Sequence, residues 1–146
     1  GVSCSGATEE TLSMTAEAGR RGARVITIGA GGSALEKLSE SISGAVHFPI
    51  DAKGRSPRAS LWTHVTPLLL VANALRIAHI DEKEFDIAAD LMDELSVANG
   101  PSVLLGENSA KSLALSCAES LPMVWGTGMI GATAAGRYMA QLAENY

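Results

Sequence analysis

Two textures alternate along the chain. Short β-branched and apolar runs end at glycine, and longer stretches return an apolar residue every three or four positions. Thr8 to Gly22 sets Leu12, Ala16 and Gly19 along one side, with Glu9 and Glu10 in the first turn and arginines at the end. That pattern predicts a helix whose charges complement its dipole. "RVITIGA" follows as a continuous β-branched run closed by glycine, the pattern of a fully buried parallel strand. "GGSALEKLSESI" predicts a short second helix and "AVHFPI" a second strand. Strand, helix and strand at this spacing predict a doubly wound α/β unit with helices on a parallel sheet. The polar loop "DAKGRSPR" then ends the alternation.

Ser60 to Ile80 is predicted as one long helix, apolar nearly all round through Leu61, Trp62, Val65, Leu68 to Val71, Leu75 and Ile77. Such a helix is expected to be buried on most sides, against the sheet and a second subunit or domain, with Pro67 kinking it or marking its first regular turn. Asp81 to Val97 predicts an amphipathic helix with Phe85, Ala88, Ala89, Met92 and Leu95 inward, stopped by Asn99-Gly100-Pro101. In the last third, "NSAKSLALSCAESL" predicts a helix capped by Asn108 or Ser109, "PMVWGT" a short buried strand, and "GATAAGRYMAQLAENY" a helix starting on glycine. The expected division is residues 1–97 as the later part of one domain with its connecting helices, and 98–146 as the beginning of a second. Only Gly1 and Val2 precede the first glycine turn, and no strand follows the last helix. The chain therefore reads as an internal stretch of a longer protein, with an α/β sandwich incomplete at both ends.

Composition narrows the function classes. With 47% hydrophobic and 18% charged residues the chain has a globular composition. A net charge of −5 argues against nucleic acid or an anionic membrane as partner, because counterion-release binding needs a basic stripe. "RRGAR" at Arg20 to Arg24 reads as the cationic end of a helix. The apolar run Leu68 to Ile80 is broken by Asn73 and Arg76 and is too short to span a bilayer. Cys4 and Cys117 are far apart, which argues against a disulfide framework and makes a reducing cytoplasm the expected compartment. His47, His64 and His79 show no ligand spacing with cysteines or acids, so no metal is expected.

The stretch most suggestive of chemistry is "SCSGATEE". Ser3, Ser5 and Thr8 place three hydroxyls around Gly6 in front of a helix, where unpaired N–H groups and the positive dipole end favour an anion. The plainer reading, Ser5 or Thr8 as a helix cap with acids behind it, stays open beside it.

Ser3-Cys4-Ser5-Gly6-Ala7-Thr8-Glu9-Glu10-Thr11 resembles the S-x-S-G-x-T-x-E-T phosphosugar loop of sugar isomerase (SIS) domains. Ser56-Pro57-Arg58-Ala59-Ser60-Leu61 resembles the P-R-x-x-L segment of the bifunctional phosphoglucose/phosphomannose isomerase family. The two motifs stand in that family's order and at a similar separation. The resemblance covers the whole chain and extends to the TobH-like branch. It implies two SIS domains, the first ending near residue 97. It also implies isomerisation of glucose 6-phosphate or mannose 6-phosphate with fructose 6-phosphate through an enediolate, without a cofactor. By the same resemblance Ser3, Ser5, Gly6 and Thr8 would bind the sugar phosphate. Arg58 would sit at the reacting carbonyl oxygens, and Glu144 in "LAENY" would be the catalytic base. The residue types suit the chemistry, since proton transfer between adjacent carbons needs a carboxylate base and a cation beside the developing oxyanion. Ala7 departs from the pattern: many such loops carry asparagine there. The family's ring-opening histidine, a terminal lysine and a further phosphate-binding serine match nothing in this stretch, so these residues alone are expected to be inactive.

Two alternatives stand beside this reading. Gly126-Thr127-Gly128-Met129-Ile130-Gly131 is a literal G-x-G-x-x-G between a predicted strand and a predicted helix, the context of a dinucleotide fingerprint. A non-catalytic SIS module that binds a phosphosugar as a regulatory signal is the other. The expected partners are a small sugar phosphate and, from the apolar surface of residues 61–80, a second copy of the chain in a homodimer.

Overall fold

The computed structural model describes residues 1–51 and 54–145; Ala52 and Lys53 of the predicted polar loop and Tyr146 at the end of the last predicted helix lie outside the described residues. The chain divides into two compact units, Gly1–His79 and Ile80–Tyr146.

The first unit is built on a three-stranded sheet in the order β1 (Val2–Ser3), β2 (Ile26–Ala30), β3 (Val46–Ile50), all parallel. Parallel neighbours need a crossover, and helices supply it: α1 (Glu9–Arg20) between β1 and β2, and α2 (Ala34–Ser41) between β2 and β3. The register pairs Ser3 with Gly29 and Thr27 with His47 on one face, and Val2, Ile28 and Phe48 on the other. On the first face Leu35 of α2 packs beside Gly29, and Thr11 and Thr15 of α1 stand against Gly1. Thr27 Oγ1 and His47 Nδ1 bond across the strands at 2.7 Å. Val25, Ile28 and Leu35 form the apolar core. A 3-10 turn, Pro57–Ala59, leads into α3 (Leu61–Ala74), which meets β2 and β3.

Three expectations change here. The strand that seemed missing before the first glycine turn is present as the two-residue β1, hydrogen-bonded to β2. The helix predicted over Ser60 to Ile80 ends at Ala74, because Arg76 enters the left-handed region at φ 57°. Arg76 N–H then donates to Asn73 O (3.0 Å) and Ile77 N–H to Ala72 O (2.8 Å), the paired closure of a Schellman motif. Nor does the sheet bury α3 on most sides: none of its residues is buried, and Trp62, Leu68, Leu69 and Leu70 are exposed. A sheet of three short strands is too narrow to cover a helix that is apolar all round.

The second unit is helical: α4 (Glu82–Ala98), a 3-10 turn at Leu105–Glu107, α5 (Ser109–Cys117) and α6 (Gly128–Asn145). Asp81 caps α4 by accepting Lys83 N–H (3.1 Å). Of its expected inward residues, Phe85 and Met92 are half-buried, whereas Ala88, Ala89 and Leu95 are exposed. Asn108 caps α5 as predicted, accepting Lys111 N–H (2.8 Å) and donating Nδ2–H to Gly100 O (3.1 Å). Lys111 Nζ donates to Pro101 O and Val103 O, closing the connection between α4 and α5. The predicted buried strand "PMVWGT" is not a strand, and Trp125 within it is 85% exposed. A strand needs a paired edge, and the described residues of this unit offer it none.

The chain is thus α/β, with a parallel three-stranded sheet and six helices among the described residues, consistent with part of a three-layer sandwich. Among those residues no helix is long and apolar enough to cross a membrane.

Candidate functional site

The loop from Ser3 to Thr8 leaves the carboxyl end of β1 and enters α1. Its shape follows from local bonds. Gly6 N–H donates to Ser3 O (3.1 Å), closing a turn. Gly6 adopts φ 64°, and a Cβ there would collide with the Ser33 side chain, so only glycine fits. Gly6 O accepts Leu35 N–H (2.9 Å), pinning the loop to the start of α2.

The hydroxyls are arranged by this turn. Ser3 is buried, and its Oγ lies 2.7 Å from Thr8 Oγ1. The two share one proton and keep one for a further acceptor. Ser5 is exposed and accepts Ala7 N–H (3.2 Å), which leaves its own O–H to donate. Thr8 is the N-cap residue of α1 but makes no side-chain cap bond; its hydroxyl is turned to Ser3 instead. The plainer reading of Thr8 or Ser5 as an ordinary side-chain cap therefore does not describe this helix start. Beside the loop, a cavity of about 430 Å³ opens over the carboxyl ends of the strands, lined by Cys4, Ala30, Gly31, Pro49, Ile50 and Asp51. Ligands of parallel α/β sheets bind at this end of the strands.

The second sequence motif reaches the loop through residues that sequence reasoning passed over. Arg58 is exposed on the Pro57–Ala59 turn. Two positions on, Ser60 is 1% exposed, and its Oγ lies 3.5 Å from Cys4 Sγ inside the first motif. The sole signal for this pairing was Cys4's place between Ser3 and Ser5. Glu144 lies exposed on the last turn of α6 and belongs to the second unit.

The G-x-G-x-x-G run opens α6 at Gly128 with no strand in front of it, so the strand–turn–helix context of a dinucleotide fingerprint is not formed there. Gly126, Thr127 and Gly131 line a concavity of about 530 Å³ with Trp125 and Tyr138. Among the described residues no group of three or more His, Cys, Asp or Glu is placed to hold a metal ion.

No protein-family model matches the chain, and no solved structure matches it. Over 143 residues, 98% of its length, the chain is 30% identical to a bifunctional phosphoglucose/phosphomannose isomerase of Caldicellulosiruptor bescii, of which the match spans 41%.

Proposed function

We infer that the chain provides the phosphosugar-binding part of a cytoplasmic sugar-phosphate isomerase that interconverts glucose 6-phosphate or mannose 6-phosphate with fructose 6-phosphate. The 30% identity to a phosphoglucose/phosphomannose isomerase along 98% of the chain carries this reading. The pair formed by Ser3 and Thr8, at a helix start without a side-chain cap, supports it. In this proposal the chain belongs to the SIS-domain proteins, TobH-like branch, with residues 1–97 in a first domain and 98–146 in a second.

The phosphate is held by the hydroxyls of Ser3, Ser5 and Thr8 and the backbone around Gly6, where amides and the helix dipole favour a dianion. Binding energy gathered at the phosphate positions the reacting carbons at the other end of the sugar. Glu144 takes the proton from the carbon next to the carbonyl and returns it to the neighbouring one. Arg58 stabilises the enediolate oxygen that becomes negative between the two steps. Ala7 offers the sugar no side-chain amide, so the grip relies on the hydroxyls and the backbone.

Turnover is tested on the full chain as it occurs in the cell, by a coupled assay with glucose 6-phosphate and mannose 6-phosphate. Binding is tested on these 146 residues by calorimetry with fructose 6-phosphate. Turnover of either sugar, abolished in Arg58→Ala, is the expected result. Absence of both turnover and binding overturns the reading, and binding without turnover selects the regulatory phosphosugar module instead.

A further inference from the structure

Ser60 occupies the N-cap position of α3, yet its side chain makes no cap bond to that helix. A serine there ordinarily satisfies one of the first amides of the helix. Its hydroxyl instead turns backward and donates to Pro57 O (2.9 Å), the carbonyl that also accepts Ser60 N–H (3.2 Å). The Pro57–Ala59 turn is thereby closed twice by one residue. A serine hydroxyl has a single proton, and a carbonyl can only accept. With that proton committed to Pro57, the 3.5 Å contact to Cys4 Sγ runs from the thiol to Ser60 Oγ. Ser60 O accepts from His64 Nδ1 at 2.7 Å, so the first turn of α3 holds the same residue from the other side. The result is a part-buried chain, Cys4 S–H to Ser60 O–H to Pro57 C=O, linking the middle of the Ser3–Thr8 loop to the turn that carries Arg58.

The geometry points to Ser60 as a positioning residue: through Cys4 it fixes the Arg58 turn against the Ser3–Thr8 loop. The inference rests on the isomerase reading for its catalytic consequence, but the mechanical link stands apart from it. A bond within one turn would hold only that turn. The contact from Ser60 to Cys4 spans 56 residues, and so sets the distance between the place where the phosphate is held and the place where charge develops. Catalysis loses steeply when reacting groups shift by a fraction of an ångström to an ångström, whereas phosphate binding depends on the loop alone.

The test uses Ser60→Ala, Cys4→Ala and Cys4→Ser in the full chain, with two readouts. The first does not need activity: trypsin cleavage after Arg58, timed against cleavage after Arg76 in the same digest. Release of the turn in Ser60→Ala and Cys4→Ala raises the Arg58 rate about 10-fold relative to Arg76, and Cys4→Ser, which keeps a donor, restores the wild-type ratio. The second is the split between kcat and KM. Both alanine variants lower kcat about 10-fold with KM changed less than 2-fold, the double variant is no worse than the poorer single one, and Cys4→Ser recovers. Unchanged cleavage at Arg58 in both alanine variants overturns the inference, as does a loss confined to KM. Should the wild-type protein neither turn over nor bind a sugar phosphate, the isomerase reading falls while the cleavage ratios still decide the link. If Ser60→Ala does not fold, Cys4→Ala against Cys4→Ser gives the same comparison.

Discussion

Gly29 lies directly against the carbonyl of Ser3: a Cβ on Gly29 would stand 2.6 Å from that oxygen and 3.3 Å from Leu35 Cδ2. The same oxygen accepts the Gly6 amide. The close approach of β2 therefore fixes the first turn of the loop. Gly29→Ala is expected to displace the Ser3 carbonyl and to destabilise the first unit by about 1–3 kcal/mol, the usual cost of inserting a methyl into packed structure. Urea unfolding followed by circular dichroism measures it; an unchanged midpoint would mean that the carbonyl moves freely.

Ser3 and Thr8 act as a pair. Ser3→Ala and Thr8→Val each remove one side of a 2.7 Å bond and are expected to cost about 0.5–1.5 kcal/mol. The double variant should lose less than the sum, because the second change removes a group whose partner is already gone. Calorimetry with fructose 6-phosphate should show about a 10-fold loss of affinity for either single variant, the scale of one charge-assisted hydrogen bond. Full additivity in stability would show that the two hydroxyls are independent.

Most elements of the first unit were legible because they had a local cause. The β-branched run before Gly31 became β2, and the acids Glu9 and Glu10 open α1, each within two residues of the expected bounds; the Ser33 cap of α2 emerged from the structure. β1 was not legible, since two residues carry no periodicity and Val2–Ser3 is a strand only because β2 pairs with it. The end of α3 was missed because a non-glycine residue takes the left-handed position. "PMVWGT" has strand composition without a strand partner, and composition alone does not supply one. At the candidate site, the motif residues were singled out by their resemblance to a family pattern. Ser60 could not, since its meaning lies in a contact with Cys4 across 56 residues.

Arg76 holds a conformation that suits glycine. At φ 57° its side chain costs about 1 kcal/mol relative to a residue without Cβ. Arg76→Gly keeps both closing bonds of α3 and is expected to stabilise the first unit by about 0.5–1 kcal/mol. A higher urea midpoint checks it; a fall would mean that the Arg76 side chain contributes more than its backbone costs.

Glu17 ties the end of α1 by accepting from Arg20 Nε and Nη2 (both 2.7 Å) and Arg21 Nε (2.6 Å). The Arg20 bonds, then the Arg21 bond, hold its carboxyl below the ordinary value of 4.5. The folded chain thus favours the ionised form, so the contribution is present above the unfolded value and is lost as pH falls through the lower folded one. An NMR titration of the Glu17 carboxyl should place its midpoint below 4.5, moving back toward it in 1 M NaCl because the pair is exposed and screened. A midpoint at the ordinary value in low salt would sink this.

The bond from Leu35 N–H to Gly6 O has a consequence for kinetics. Leu35 is fully buried, so the loop is moored through the Leu35 amide to the core of the first unit. If the loop binds an anion as proposed, it has little freedom left to surrender on binding, since the entropy of arranging it was spent during folding. Association should then proceed as a single encounter step, its observed rate rising in proportion to ligand concentration without a plateau.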